Sequence, residues 1–393
     1  MESIEQMIKR LCPKGVEYVK LGEVCEIRRG IRVVKKQLGE EDGYPVFQNS
    51  LTSLGMYQSS NRKAGTTFII CAGAAGEIGY CNSEFWAADD CSTVESDVLI
   101  DRFIYFYLMT QQYKLKSQVR KASVPRLSRE AIENLIIPLP PLEIQSRIVE
   151  VLDKMATLTA ELEAELKAEL EARKQQYEYY RNKLLIFNEI GGGNRQVAWK
   201  KISEIGTIYR GIAYSKKDFT DTGTPCIHYG QIYTRYGTFA NKTFTCVSKE
   251  LAKGKRLAKK GDLVMAVTSE NMEDVGKCLA WLGEDEILVS NHACFIRHSL
   301  NPKYLAYFLQ TSYFFKYKKK ISKGVKVIDL DLNKFGNMLI PVPPLSEQQR
   351  IVSILDRFEA LTTDLQSGLP AEIEARRQQY EYYRNKLLTF EAV

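Results

Sequence analysis

The chain has 393 residues, 45% of them apolar and 26% charged, with a formal net charge of +7. This is the make-up of a soluble globular protein with room for two or three domains. No stretch reaches the length of a membrane span, and Met1 to Glu5 lack the basic start and apolar run of a secretory signal. The nine cysteines are odd in number and none forms a CxxC pair, so reduced thiols in a cytoplasmic protein are expected.

Residues 1–137 form a first domain. Short β-branched and aromatic runs such as Thr67–Cys71 read as strands, and Ile104–Val119 reads as an amphipathic helix. Gly73-Ala-Ala-Gly76 reads as a tight turn, since neither the GxGxxG order nor a following helix is present. Residues 138–190 open on Ile137-Pro-Leu-Pro-Pro141, which is extended because proline disfavours helix in the residue before it. A helix then begins near Glu143. Its apolar stripe is Ile148, Leu152, Met155, Leu158, Leu162, Leu166, Leu170, Tyr177, Tyr180 and Leu184, in steps of three and four. Gly191-Gly-Gly193 reads as a flexible joint.

Residues 191–340 form a second domain, with strands at Leu263–Val267 and Ala293–Arg297 and a helix at Tyr304–Ile321. Residues 341–393 repeat the earlier helical segment. Pro341 to Phe390 match Pro138 to Phe187 without a gap, at a shift of 203 and with 31 of 50 positions identical. The second stripe is Ile351, Leu355, Phe358, Leu361, Leu365, Leu369, Ile373, Tyr380, Tyr383 and Leu387. Ser346 is a candidate N-cap, and Gly368-Leu-Pro370 predicts a break or kink. A helix of about 45 residues would run roughly 65 Å, which no small domain buries, so the two copies are expected to pair as a coiled coil. The domain starts also match, Lys20–Ile31 with Lys201–Ile212, at a shift of only 181. The chain is therefore read as α+β: two similar domains that began alike and diverged, each followed by a copy of one helix.

Catalytic chemistry is scarce in this sequence. It has no P-loop, and His292 with His298 lacks further ligands at zinc spacing, so no metal site is expected. Asn301-Pro-Lys-Tyr304 is near the Asn-Pro-Pro-Tyr motif of amino-methyltransferases, but an N-cap followed by proline explains it. Glu273-Asp-Val-Gly-Lys277 has no counterpart in the first domain and reads as a surface hairpin rather than a nuclease motif. Binding chemistry is abundant. The charge excess lies in residues 191–340, with 24 basic and 13 acidic side chains, which suits a polyanion. Candidate DNA contacts in the first domain are Arg28, Arg29, Arg32, Lys35, Lys36, Tyr44, Gln48, Asn49, Tyr57, Arg62, Lys63, Arg120, Lys121 and Arg126. In the second they are Tyr209, Arg210, Tyr214, Lys216, Lys217, Tyr229, Gln231, Tyr233, Arg235, Tyr236, Lys318, Lys319, Lys320 and Lys323. Arg and Lys neutralise phosphates, while Gln, Asn and Arg can pair bidentately with purine edges.

The Ile-Pro-Leu-Pro-Pro-Leu142 and Ile-Pro-Val-Pro-Pro-Leu345 entries resemble a known family. So do Glu347-Gln-Gln-Arg-Ile-Val352 and the doubled Gln-Gln-Tyr-Glu-Tyr-Tyr-Arg-Asn-Lys-Leu-Leu ending at Leu185 and Leu388. The family is the specificity subunits of type I restriction–modification systems, and the resemblance spans nearly the whole chain. It implies two target-recognition domains, inverted at opposite ends of an antiparallel two-helix coiled coil. Each would read half of a bipartite site in double-stranded DNA. It also implies two copies of an adenine-methylating modification subunit as partners, and restriction subunits in addition. S-adenosylmethionine, ATP and Mg would then belong to those partners, with no cofactor and no catalysis in this chain. The alternative is a helical scaffold that binds DNA without sequence preference.

Overall fold

A computed structural model describes residues 2–40, 42–121, 123–187, 197–363 and 368–392, the side chains of 362 and 363 excepted. The expected glycine joint at 191–193 lies outside the described residues. The chain divides into two compact units, Met1–Glu165 with Ile373–Val393, and Leu166–Glu372.

The first unit is built on a four-stranded antiparallel sheet in the order Glu26–Arg29, Cys91–Glu95, Thr66–Ile70, Ile78–Cys81. Every residue of Thr66–Ile70 is buried, as a central strand covered on both faces requires. Helix Asp101–Ser117 lies against Thr66–Ile70 and Ile78–Cys81, with Phe103, Ile104, Tyr107 and Leu108 in the core. Gly73 and Gly76 take φ of +81° and +86° in the turn between those two strands, the conformation that glycine adopts without strain.

The second unit repeats this frame. Gly206–Arg210, Ala293–His298, Leu263–Ala266 and Cys278–Trp281 form the equivalent antiparallel order, and Phe239–Ala240 adds a parallel edge. The expected helix Tyr304–Ile321 is two helices, Pro302–Phe308 and Ser312–Ile321. Thr311 lies between them and caps the second, its hydroxyl accepting from the Phe314 amide. Asn301 caps the first with Pro302 at the helix start, as the sequence predicts.

The first repeated helix is continuous from Leu142 to Leu185. The second is described as Leu345–Thr363 and Leu369–Leu387, and Pro370 sits in the first turn of the later piece, where its missing N–H costs nothing. Helix entry falls one residue before the expected points, so Ser346 lies inside the first turn and is not the N-cap.

Each unit joins the beginning of one repeated helix to the end of the other. In the first, Ile144, Ile148 and Leu152 share a core with Leu388 and Phe390, and Arg377 reaches Glu163 at 3.3 Å. In the second, Ile351 and Leu355 share a core with Tyr177 and Leu185, and Tyr180 stacks on Phe358 at 5.6 Å. The partners correspond at the shift of 203, and in both units the helical segments run antiparallel. Leu166 is buried, while Met155, Leu162, Leu170, Leu184, Phe358, Leu369, Ile373, Tyr380 and Leu387 are half-buried. Leu158 and Leu361 are 64% and 51% exposed, so the stripe is not packed at these equivalent positions. Leu365 lies outside the described residues.

One glutamine in each copy, Gln145 and Gln348, locks its helix to its domain. Gln145, fully buried, accepts from the Ile100 amide at 2.8 Å and donates to the Pro140 carbonyl at 2.7 Å. Gln348 accepts from the Asn301 amide and donates to the Pro343 carbonyl, both at 2.8 Å. About two turns further on, Asp153 takes Arg102 and Asp356 takes Lys303, each at 2.7 Å.

Candidate nucleic-acid interface

One basic loop in each domain is placed by a glycine. Arg28 and Arg29 end strand Glu26–Arg29, and Gly30 follows. Tyr209 and Arg210 end strand Gly206–Arg210, and Gly211 follows. A Cβ on Gly30 would lie 2.0 Å from the Ala88 carbonyl oxygen, and one on Gly211 would lie 2.1 Å from that of Ser290. Only glycine permits this approach. The chain then leaves the sheet through Ile31 and Ile212, whose amides donate to the carbonyls of Ala87 and Val289. Beyond this point Lys35 and Lys36 lie in the 3-10 turn Lys35–Gln37, and Lys216 and Lys217 in Lys216–Asp218.

In the first domain the exposed candidates are Arg28, Arg29, Arg32, Lys35, Lys36, Asn49, Lys63, Arg120, Lys121 and Arg126. Several are brought together. Arg29 donates to the Asp89 carbonyl at 2.8 Å and Gln48 to the Asp89 carboxylate at 3.3 Å. The Asn49 carbonyl accepts from Ala74, and Gly73 donates to Pro125 beside Arg126. One surface therefore runs from strand Glu26–Arg29 across the Gly73 turn to Arg126. Arg28 is paired with Glu26 at 2.6 Å, a pairing that lowers its net charge towards a phosphate. Lys63 lies 3.9 Å from Asp101. Tyr44 and Tyr57 are half-buried cross-strand partners, with Tyr57 edge-on to Trp86.

Arg62 does not belong to this set. Its side chain is 10% exposed, and its guanidinium donates to Thr93 Oγ1 and to the carbonyls of Asn61 and Arg29. It ties the sheet to the loop rather than facing solvent.

In the second domain Arg210, Lys216, Lys217, Arg235, Lys319, Lys320 and Lys323 are exposed, and Tyr209, Tyr229 and Tyr233 half-buried. Tyr209 stacks on Phe295 at 5.0 Å beneath the Arg256 guanidinium at 4.8 Å. Tyr229 lies 5.0 Å from His292, and Lys277 donates to the Tyr233 carbonyl. Four candidates are structural instead. The Tyr214 hydroxyl is buried and donates to the Ile227 carbonyl at 2.7 Å. Tyr236 is buried and its hydroxyl accepts from the Phe244 amide. Gln231 closes a capping box with His228 and donates to Thr245. Lys318 is 4% exposed, and its ammonium donates to the carbonyls of Glu273 and Val275. Burial lowers its pKa to about 8.

Other exposed side chains beside the basic loops carry no signal in a charge-based reading. Ile31 and Val34 are 56% and 46% exposed among Arg32, Lys35 and Lys36, and Phe244 is 56% exposed beneath Arg235. Among the described residues, no group of three His, Cys, Asp or Glu could hold a metal ion, and no helix is long and apolar enough to cross a membrane. All nine cysteines are free thiols.

The model of the type I restriction modification DNA specificity domain matches twice, at residues 13–172 and 194–375. A putative type I restriction enzyme specificity subunit of Haemophilus influenzae is 30% identical over 95% of this chain and 96% of its own. A type I restriction enzyme specificity subunit of Escherichia coli is 30% identical over 99% and 98%. Among solved structures, one from work on assembly and conformational transition of the type I system has a TM-score of 0.70 at 17% identity. It covers 96% of this chain and 98% of that one. The HsdS subunit of Thermoanaerobacter tengcongensis has a TM-score of 0.54 at 17% identity, covering 96% and 97%. The doubled frame, its two differing basic faces and both 30% relatives agree: the chain belongs to the DNA specificity subunits of type I restriction–modification systems.

Proposed function

We propose that each domain reads one half of a bipartite DNA site through the face that begins at Gly30 or Gly211, and that the repeated helices set the unread spacer. The observation that carries this reading is the contrast between frame and face. Both domains share one strand order and one glycine crossing. Around the crossing, the first presents Arg29 and Gln48 on Asp89 with Asn49 beside them, and the second presents Tyr209, Arg256, Tyr229 and His292. Equal frames with unequal faces suit two different half-sites better than a scaffold without sequence preference.

The chemistry lies in partners on this reading. Two modification subunits dock on the repeated helices, bind S-adenosylmethionine and methylate adenine in each half-site. Restriction subunits, where present, add ATP- and Mg-dependent cleavage, and the assembly is cytoplasmic. The test is substitution within one face of the chain bound to its modification partner. Replacing Gln48 and Asn49 by alanine should relax base preference in one half-site and leave the other unchanged. Equal loss in both halves would refute the assignment of one domain to one half-site.

A further inference from the structure

In each domain, one hairpin joins the helical layer to the repeated block. Lys323 pairs with Asp329 in the second domain, and Arg120 bridges Arg126 in the first. These positions correspond at a shift of 203, whereas the domain starts correspond at 181. The length change therefore falls upstream, and the hairpin keeps one size in both domains although the reading faces differ.

The base of each hairpin is fixed to the core. Leu127 and Leu330 are buried, and their amides donate to the carbonyls of Cys71 and Val267 at 2.8 Å. In the second domain the tip is apolar and open. Val325 is 97% exposed and Val327 58%, and Val124, the counterpart of Val327, is 47% exposed. Gly324 holds φ at +113°, and a Cβ there would lie 1.9 Å from the Val327 carbonyl oxygen, so the turn has a set shape. Two exposed valines at a shaped tip add nothing to the core. Cations flank them: exposed Lys323 and Lys326 in the second domain, exposed Arg120, Lys121 and Arg126 in the first. Acids lie towards the base: Asp329 faces Lys323 across the ladder, Asp331 caps the next helix, and Glu270 follows strand Thr268–Ser269, which pairs with Ile328 and Asp329.

We propose that the two hairpins are fingers of one kind that enter a DNA groove. Lys323 and Lys326 meet phosphates on either side, and Val325 and Val327 pack against sugars and base edges. In the first domain Arg120 and Lys121 on one side and Arg126 on the other supply the charge, and Val124 the apolar contact. The flanking charge favours a polyanion as the occupant over an acidic-poor protein surface. Since the finger is common to both domains, it contacts what the half-sites share and not the bases that differ. The inference rests on the DNA-reading function proposed above and adds the element that enters the groove.

The test uses the chain with its modification partner on duplex carrying its own site, with affinity measured between 50 and 200 mM salt. Replacing Lys323 and Lys326 together by alanine should flatten the slope of log affinity against log salt by about 1.8, or 0.9 for each phosphate released. Replacing Val325 and Val327 together by alanine should lower affinity roughly ten-fold with the slope unchanged. Wild-type affinity and slope in both variants, with the unmodified complex still specific, would overturn the finger and leave the reading function standing. Weakened assembly with the partner, at unchanged DNA affinity of the assembled complex, would also overturn it. Absence of any sequence preference in the unmodified complex would instead overturn the reading function beneath it. All four side chains are exposed, so the fold is retained, and an unchanged Tm checks this.

Discussion

Gln348→Ala removes the residue that locks the second repeated helix to its domain. Gln348 is 1% exposed, accepts from the Asn301 amide and donates to the Pro343 carbonyl, both at 2.8 Å. Alanine leaves one buried donor and one buried acceptor unpaired, at about 1–3 kcal/mol each, so the loss is about 1–3 kcal/mol when water satisfies one of them. The neighbouring Gln349 is exposed and holds only the Asn301 side-chain amide, so Gln349→Ala should change stability by less than about 0.5 kcal/mol. The assay is native-state hydrogen exchange at the Asn301 amide, the proton that Gln348 protects. Each 1.4 kcal/mol is a factor of ten, so exchange should speed up roughly 5- to 150-fold in Gln348→Ala. Acceleration below roughly five-fold would mean that the glutamine is not the clamp, and the parallel with Gln145 would fall with it.

Leu355→Ala should cost about 2–5 kcal/mol, because the leucine is fully buried against the end of the other repeat. Leu361→Ala, at 51% exposure, should cost well under about 1 kcal/mol, and urea unfolding of both variants separates a packed stripe position from an open one. His298 is half-buried, with its Nε2 shielded from solvent and unpartnered, and this burial lowers its pKa to about 4 from 6.5. Below pH 6.5 the unfolded chain takes up a proton that the native state refuses. Stability should therefore fall from pH 6.5 to about pH 4, by up to roughly 3 kcal/mol, and His298→Gln should flatten that limb of the unfolding curve. Lys318, lowered to about 8, works at the other end. The unfolded state binds more protons between pH 8 and about 10.5, so stability should rise across that window, and Lys318→Met should remove the rise.

The repeat was fully legible because identity at 31 of 50 positions survives without a gap. Local signals held where the physics is local. Asn301-Pro302 is a cap, the Gly73–Gly76 run is a turn, and Gly30 and Gly211 mark equivalent crossings. What the sequence hid depends on distant partners. Nothing near Leu152 says that it meets Leu388 from the other repeat, or that Leu158, in the same stripe, stays open. Charge and aromatic content placed Arg62, Tyr214, Gln231, Tyr236 and Lys318 on the DNA face, but their polar atoms bond within the domain. A polar residue beside a reading loop can hold the loop as readily as it can face the ligand, and only the three-dimensional partners separate the two. Val325 went unnoticed for the opposite reason, since an exposed valine looks in sequence like any core residue.

The central claim is that two alike domains in one chain read two separate half-sites. Mapping methylated adenines at single-base resolution, on DNA treated with the chain and its modification partner, tests it most directly. The expected result is one motif of two specific halves with a spacer of fixed length and no base preference. A single contiguous motif, or methylation without sequence preference, would contradict it.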